Sequence, residues 1–245
     1  MSRWASTMAG ARWSIRWSRT SRRRSTKPRG GGQVMTDTDM GRWLLFAGVA
    51  AGLLFFIVPT IEIFRRPAFE IGRHAISMLS LGEGGWKMKA VFIVSGLLTF
   101  ACAAGMFRAL GGGWAGYAVL LLIGAHGVGL VMAGIYDAPA GLGFPAGTPL
   151  DQQPDMTARA TVLHSVAFML AYAGLVLACF ALGTHFLLTE QLVPGVGSLV
   201  VGLALPAIIG IGMASVIPPG IAFYWGGMLG WLWVGATALH LAEVG

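Results

Sequence analysis

Ser77, Asp137 and His164 supply the three side-chain types of a nucleophilic hydrolytic site. In such a site a hydroxyl attacks, an imidazole takes its proton, and a carboxylate orients the imidazole. Ser77 is the candidate nucleophile or metal-water ligand, His164 the candidate general base, and Asp137 its orienting carboxylate. Arg73 supplies a guanidinium suited to a lipid phosphate. Glu70 and Ser80 complete a set of candidate ligand-binding residues around it. Glu70, Arg73, Ser77 and Ser80 recur at i, i+3, i+7 and i+10, with Phe69, Ile76 and Leu79 on the opposite stripe. That spacing predicts an amphipathic helix lying in the membrane interface. A surface helix that packs its apolar stripe on the protein has the same pattern and needs no chemistry.

The elements that must position these residues follow from composition. Of 245 residues 56% are hydrophobic and 11% charged, and the mean hydropathy is +0.71. A soluble domain carries about 25% charged residues, so this chain cannot cover itself with a water-facing surface. A spanning helix needs about 20 mostly apolar residues. Six windows meet that length, at 43–64, 89–110, 114–136, 160–183, 192–216 and 221–243. None shows the strict alternation of a barrel strand. The expected fold is all-α, a polytopic bundle of six transmembrane helices formed by residues 35–245, with no repeat relating its halves.

Six antiparallel spans put the loops 65–88, 137–159 and 217–220 on one side of the membrane. Asp137 sits at the mouth of span 3. His164 lies about four residues, or roughly 6 Å, inside the mouth of span 4. The intervening Gly141-Leu142-Gly143-Phe144-Pro145-Ala146-Gly147-Thr148-Pro149 demands an irregular but defined path. The polar groups of the first loop, Asp137 and His164 are therefore expected in one pocket at one face. Glu62, at the end of span 1, either joins them or snorkels.

His126 lies near the middle of span 3, about 16 Å along the helix from Asp137, and His240 is close to the opposite face. Histidines at different depths do not assemble bis-His haem or zinc, so no metal and no cofactor are expected. A His126 bonded to a neighbouring helix is the simpler reading. Cys102 and Cys179 fall in apolar runs, without a CxxC or CxxCH motif. Small residues four apart, at Gly48/Gly52, Ala125/Gly129/Ala133 and Gly226/Gly230, allow close helix packing, within the chain or between copies in a homo-oligomer. Pro206 is expected to kink span 5. With His126 it is the sole hint of transport, which calls for broken helices and paired midplane polar groups.

Charge is concentrated at the start. Ten of the 17 Lys and Arg lie in residues 1–42, and residues 1–34 contain no acid. This Arg/Ser/Trp-rich leader lacks the apolar stretch of a secretory signal. Ser21-Arg22-Arg23-Arg24 matches a twin-arginine signal poorly, and the composition also suits an organellar transit peptide. The preferred reading is a disordered segment or a misassigned start upstream of Met35. It carries no aromatic-basic face continued downstream, so nucleic acid is not an expected partner. With the leader, the positive-inside rule places the N-terminus inside; starting at Met35 the rule reverses.

Ile76-Ser77-Met78-Leu79-Ser80-Leu81-Gly82, then Gly85-Trp86, then Ser95-Gly96 in span 2, resemble one signature of the bacterial membrane family called domain of unknown function 998. The second signature is an Asp-Pro-x-x-Gly-Phe-Pro-x-Gly-Thr-Pro loop followed by a His in the next span. It is matched by Asp137 through Pro149 and His164, with Asp-Ala-Pro where the family pattern has Asp-Pro. The resemblance covers about residues 43–243. It implies a six-span plasma-membrane protein from a high-GC bacterium with the signature loops outward, and it brings no activity. The arrangement is also similar, more distantly, to a membrane family of lipid-anchor remodelling and to Ser/Asp/His membrane hydrolases. Three readings follow: a protein binding a membrane lipid or other ligand through its polar face, a membrane hydrolase or lipid-modifying enzyme, and a small-solute transporter.

Overall fold

A computed structural model describes residues 37–244. These residues form six long helices: α1 Asp37–Arg65, α2 Trp86–Ala109, α3 Gly113–Ile135, α4 Arg159–Leu188, α5 Leu192–Met213 and α6 Pro219–Val244. At about 1.5 Å per residue even the shortest exceeds the roughly 30 Å of a hydrocarbon core. No strand forms among the described residues; an isolated bridge pairs Gly141 with Phe144. The leader 1–34 lies outside the described residues.

Five of the helices, α1 to α5, are apolar enough to cross a membrane by length and composition. In α6 three tryptophans, Tyr224 and five glycines dilute the aliphatic residues. The outer surface is nevertheless apolar on every helix, with Phe56, Leu97, Leu121, Leu177, Leu203 and Leu232 all exposed. An exposed apolar belt of this extent suits lipid and not water.

Each helix packs against its sequence neighbours, and α6 returns to pack against α1, so the six close into a ring. Secondary contacts between α2 and α6 cross the ring and fill one half of it with α1, α2 and α6. Phe55 of α1 meets Phe92 of α2 and Trp231 of α6 at ring separations of 5.5 and 5.4 Å. Polar groups fasten α6 to both its ring neighbours: Trp233 donates to Ser198 Oγ of α5 at 2.9 Å, and the Thr60 hydroxyl of α1 and the Tyr224 hydroxyl are 2.8 Å apart.

The small-residue pairs pack inside this ring. Gly48 faces Cys102 of α2 and Val234 of α6, Gly129 faces the α4 backbone at Ala167 and Ala171, and Gly230 faces Leu175. The helices α1 and α5 continue through Pro59 and Pro206 without a break.

The amphipathic helix expected from the first loop does not form. Between α1 and α2 the chain runs through turns and one short 3₁₀ helix, Ile76–Ser80. The periodic pattern is real, but Gly72 interrupts it and Pro67, Gly82, Gly84 and Gly85 flank it, and each disfavours a helix interior. Its apolar stripe is still buried: Phe69, Ile76 and Leu79 all lie in the core. Gly82 shows why glycine is required at one of these turns. Its φ is +65°, and a Cβ there would sit 2.8 Å from the ring of Pro145. Gly82→Ala should lower stability by about 1–2 kcal/mol through backbone strain and that contact, read as a fall in the unfolding midpoint in detergent.

Candidate functional site

The loops 66–85, 136–158 and 214–218 meet at one end of the bundle. Arg66 braces the first loop internally, its guanidinium donating to the Leu79 carbonyl at 3.0 Å and to the Leu81 carbonyl, and it meets the second loop by lying 5.4 Å over the Phe144 ring. His74, fully buried, makes the second link. The Glu70 N–H donates to His74 Nδ1 at 2.9 Å, so Nδ1 carries a lone pair and the proton resides on Nε2. Nε2 then donates to the Leu142 carbonyl, also at 2.9 Å. Phe69 and Phe144 enclose the ring. Sequence reasoning passed over His74 because its partner stands 68 residues away. A histidine among Gly, Pro and aromatic loop residues was the available signal. His74→Ala should cost about 2 kcal/mol, from two lost hydrogen bonds and an emptied volume, measurable as a drop in thermal midpoint.

Farther along the second loop the Thr157 hydroxyl and N–H both donate to Asp155 Oδ1, at 2.7 and 2.9 Å. These bonds hold the Asp155 carboxyl below its usual range and fix the chain as it enters α4.

The candidate residues divide into two groups. Arg73, Ser77 and His164 line one cavity of about 530 Å³. Asp137, Glu70 and Ser80 are not among its lining residues. Asp137 is ion-paired with Lys89 at 2.6 Å, and Glu70 with Arg73 at 3.4 Å on the exposed surface. Ser80 is buried, with its hydroxyl unpartnered. His164 Nδ1 donates to the Tyr136 carbonyl at 2.9 Å, so a main-chain oxygen orients this imidazole at that nitrogen. Glu62 is buried at the end of α1 and accepts from Lys87 Nζ at 2.9 Å. Two lysines in the first turn of α2 thus reach different elements, Lys87 to Glu62 of α1 and Lys89 to Asp137 just beyond α3.

The cavity extends from Arg73 and the exposed Met156 at the loop end to His126 and Trp231 halfway along the bundle. Its lining comes mostly from α3, α4, α5 and α6, with Phe55 of α1 and Phe92 of α2 completing it. Its walls are chiefly aromatic and aliphatic, with few polar atoms, the composition of a small-molecule site. His126 Nδ1 donates to the Ala171 carbonyl at 2.9 Å, and the imidazole lies 5.4 Å from the Trp231 ring. The Tyr172 hydroxyl, on the same wall, is buried with no partner. Among the described residues no group of three His, Cys, Asp or Glu could hold a metal ion.

The two signature stretches are thus the two loops that Arg66 and His74 tie together. A family model matches residues 49–240. The chain belongs to that family, described as Protein of unknown function (DUF998). No curated protein and no solved structure matches the chain. The DUF998 match spans all six helices and both signature loops, but takes in neither the leader nor the start of α1. The two loop stretches within the DUF998 match close one end of the bundle over a cavity.

Proposed function

We propose that this DUF998 chain is a six-span protein of the plasma membrane that binds a membrane lipid at the face bearing its signature loops. The apolar part of the lipid occupies the cavity, and its headgroup meets Arg73 and Ser77. The observation that carries this reading is the cavity itself, about 530 Å³, walled by apolar side chains and ending at an exposed guanidinium. That volume lies within the roughly 300–1,000 Å³ of ordinary ligand pockets.

The test is to fill the cavity without disturbing the fold. Gly227 of α6 lines the cavity, and a Cβ built on it meets nothing within 4 Å. Gly227→Phe should leave expression and thermal stability intact and reduce co-purifying lipid, counted by mass spectrometry per protein, by about tenfold or more. Equal lipid in a stable Gly227→Phe protein rejects the reading.

A second reading, a membrane hydrolase or lipid-modifying enzyme, is supported by one observation: Ser77 and His164 line the same cavity. Asp137 is paired with Lys89, so this reading uses Ser77 as nucleophile and His164 as base, with the Tyr136 carbonyl orienting the imidazole. Its test is hydrolysis of ester-linked lipids by the purified protein. Ser77→Ala should abolish turnover.

A further inference from the structure

The mouth of the cavity carries both signs of charge on one short turn. Arg73 lines the cavity, and the described residues that line it include no Lys, Asp or Glu. Glu70, three residues earlier, meets the Arg73 guanidinium at 3.4 Å, and both side chains are exposed. The Glu70 carbonyl accepts from the Arg73 and His74 N–H groups at 2.9 and 2.8 Å. The Glu70 N–H donates to the buried His74 ring. His74 therefore fixes the backbone under the two charges, and cation and anion stand side by side at one rim. The second loop and the start of α4 bring Asp155 and Arg159 to the same end, where their charges offset each other.

A separation of 3.4 Å is longer than the about 2.7–2.9 Å of a closed charge-assisted hydrogen bond. Exposed pairs of this kind contribute little to stability, so a ligand parts them at small cost. A guanidinium and a carboxylate each offer more hydrogen-bonding sites than the pair uses. A lone phosphate would gain Arg73 and meet repulsion from Glu70 beside it. A lone ammonium would gain Glu70 and meet repulsion from Arg73. A group with both charges on a short link satisfies both residues: its phosphate accepts from Arg73, and its ammonium donates to Glu70. The apolar walls below suit a hydrocarbon chain attached to that group.

We infer that the mouth of the cavity selects a zwitterionic phospholipid headgroup with a primary ammonium, its phosphate on Arg73 and its ammonium on Glu70. This inference rests on the lipid-binding reading and adds the class of headgroup. A trimethylated ammonium carries the same charge but has no N–H to donate. A glycerol headgroup leaves Glu70 facing a net anion.

The experiment uses the full chain in detergent and lysophospholipids that share one palmitoyl chain, so that only the headgroup varies. Tritiated lysophosphatidylethanolamine is bound by scintillation proximity, with lysophosphatidylcholine and lysophosphatidylglycerol as competitors. The expected result is that the ethanolamine lipid binds about tenfold or more tightly than either competitor, the size of one charge-assisted hydrogen bond. Glu70→Ala should erase this advantage and raise the affinity for the glycerol lipid. Arg73→Gln should weaken all three, since each carries the phosphate. Both side chains are exposed, so the thermal midpoints of the two variants should stay near that of the parent chain. Equal or tighter binding of either competitor overturns the inference and leaves lipid binding standing. So does a preference that survives Glu70→Ala, or binding indifferent to Arg73→Gln. No binding at all, or binding that Gly227→Phe leaves unchanged, overturns the lipid-binding reading as well.

Discussion

Lys87→Met destabilises the folded bundle by about 3 kcal/mol, and adding Glu62→Gln to the same chain restores most of the loss. Glu62 lies at the end of α1 with its side chain 4% exposed, and Lys87 at the start of α2 is 37% exposed. One carboxylate oxygen meets the ammonium at 2.9 Å, and the other is buried without a partner. Methionine keeps most of the lysine stem, so the substitution isolates the charge. What remains is an uncompensated buried carboxylate, a defect that costs about 3–5 kcal/mol in enclosed pairs. The lower end applies because Lys87 is partly solvated and water screens the pair. Glutamine in place of Glu62 removes the charge that was stranded, hence the recovery. The measurement is a double-mutant cycle on unfolding midpoints. Additive losses from the two substitutions would show that the pair contributes nothing to the fold.

This ion pair bears on the site through connectivity. The loop between Glu62 and Lys87 carries Arg73, His74 and Ser77. Clamping its two ends fixes where those side chains stand; Arg66 then braces the loop through the Leu79 carbonyl, and His74 ties it to the second loop. Weakening the clamp should therefore loosen the loop end of the cavity before it disturbs α3 or α4.

What could be read from the sequence divides along the same line. Helical architecture needs only composition over about 20 residues, and the six apolar windows overlap the six helices. The depth of His126 and its bond to a neighbouring helix likewise follow from helix rise and from the cost of an unpaired polar group. The path of the first loop was not legible, because a 3.6-residue pattern marks which side chains are buried and not whether the backbone is helical. Phe69, Ile76 and Leu79 bury as the pattern demands while Gly72 falls between them and Pro67 and Gly82 bend the chain on either side. Pairings were not legible either. Asp137 and Lys89 are plain in the sequence, but their contact depends on α2 and α3 being neighbours in the ring. Tyr172 reads as an ordinary core aromatic until its hydroxyl is found without a partner.

Gly220→Ala and Gly227→Ala, seven residues apart on nearly the same face of α6, have opposite effects. Seven residues are close to two helical turns, so sequence alone treats the positions alike. A Cβ on Gly220 would collide with the carbonyl oxygens of Ile71 and His74. Both belong to main chain that His74 holds in place, so neither can rotate away as a side-chain tip would. The first turn of α6 must move off the loop, at an expected cost of more than about 3 kcal/mol, an overpacking defect against rigid backbone. Gly227 faces the cavity, where a Cβ meets nothing. Alanine there gains helix propensity, and stability should rise by about 0.5–1 kcal/mol. Thermal unfolding of the two single variants side by side gives the answer. The difference in sign reports which end of α6 seals the bundle and which stretch borders open space. A loss at both positions would mean that the cavity wall at Gly227 is already closed.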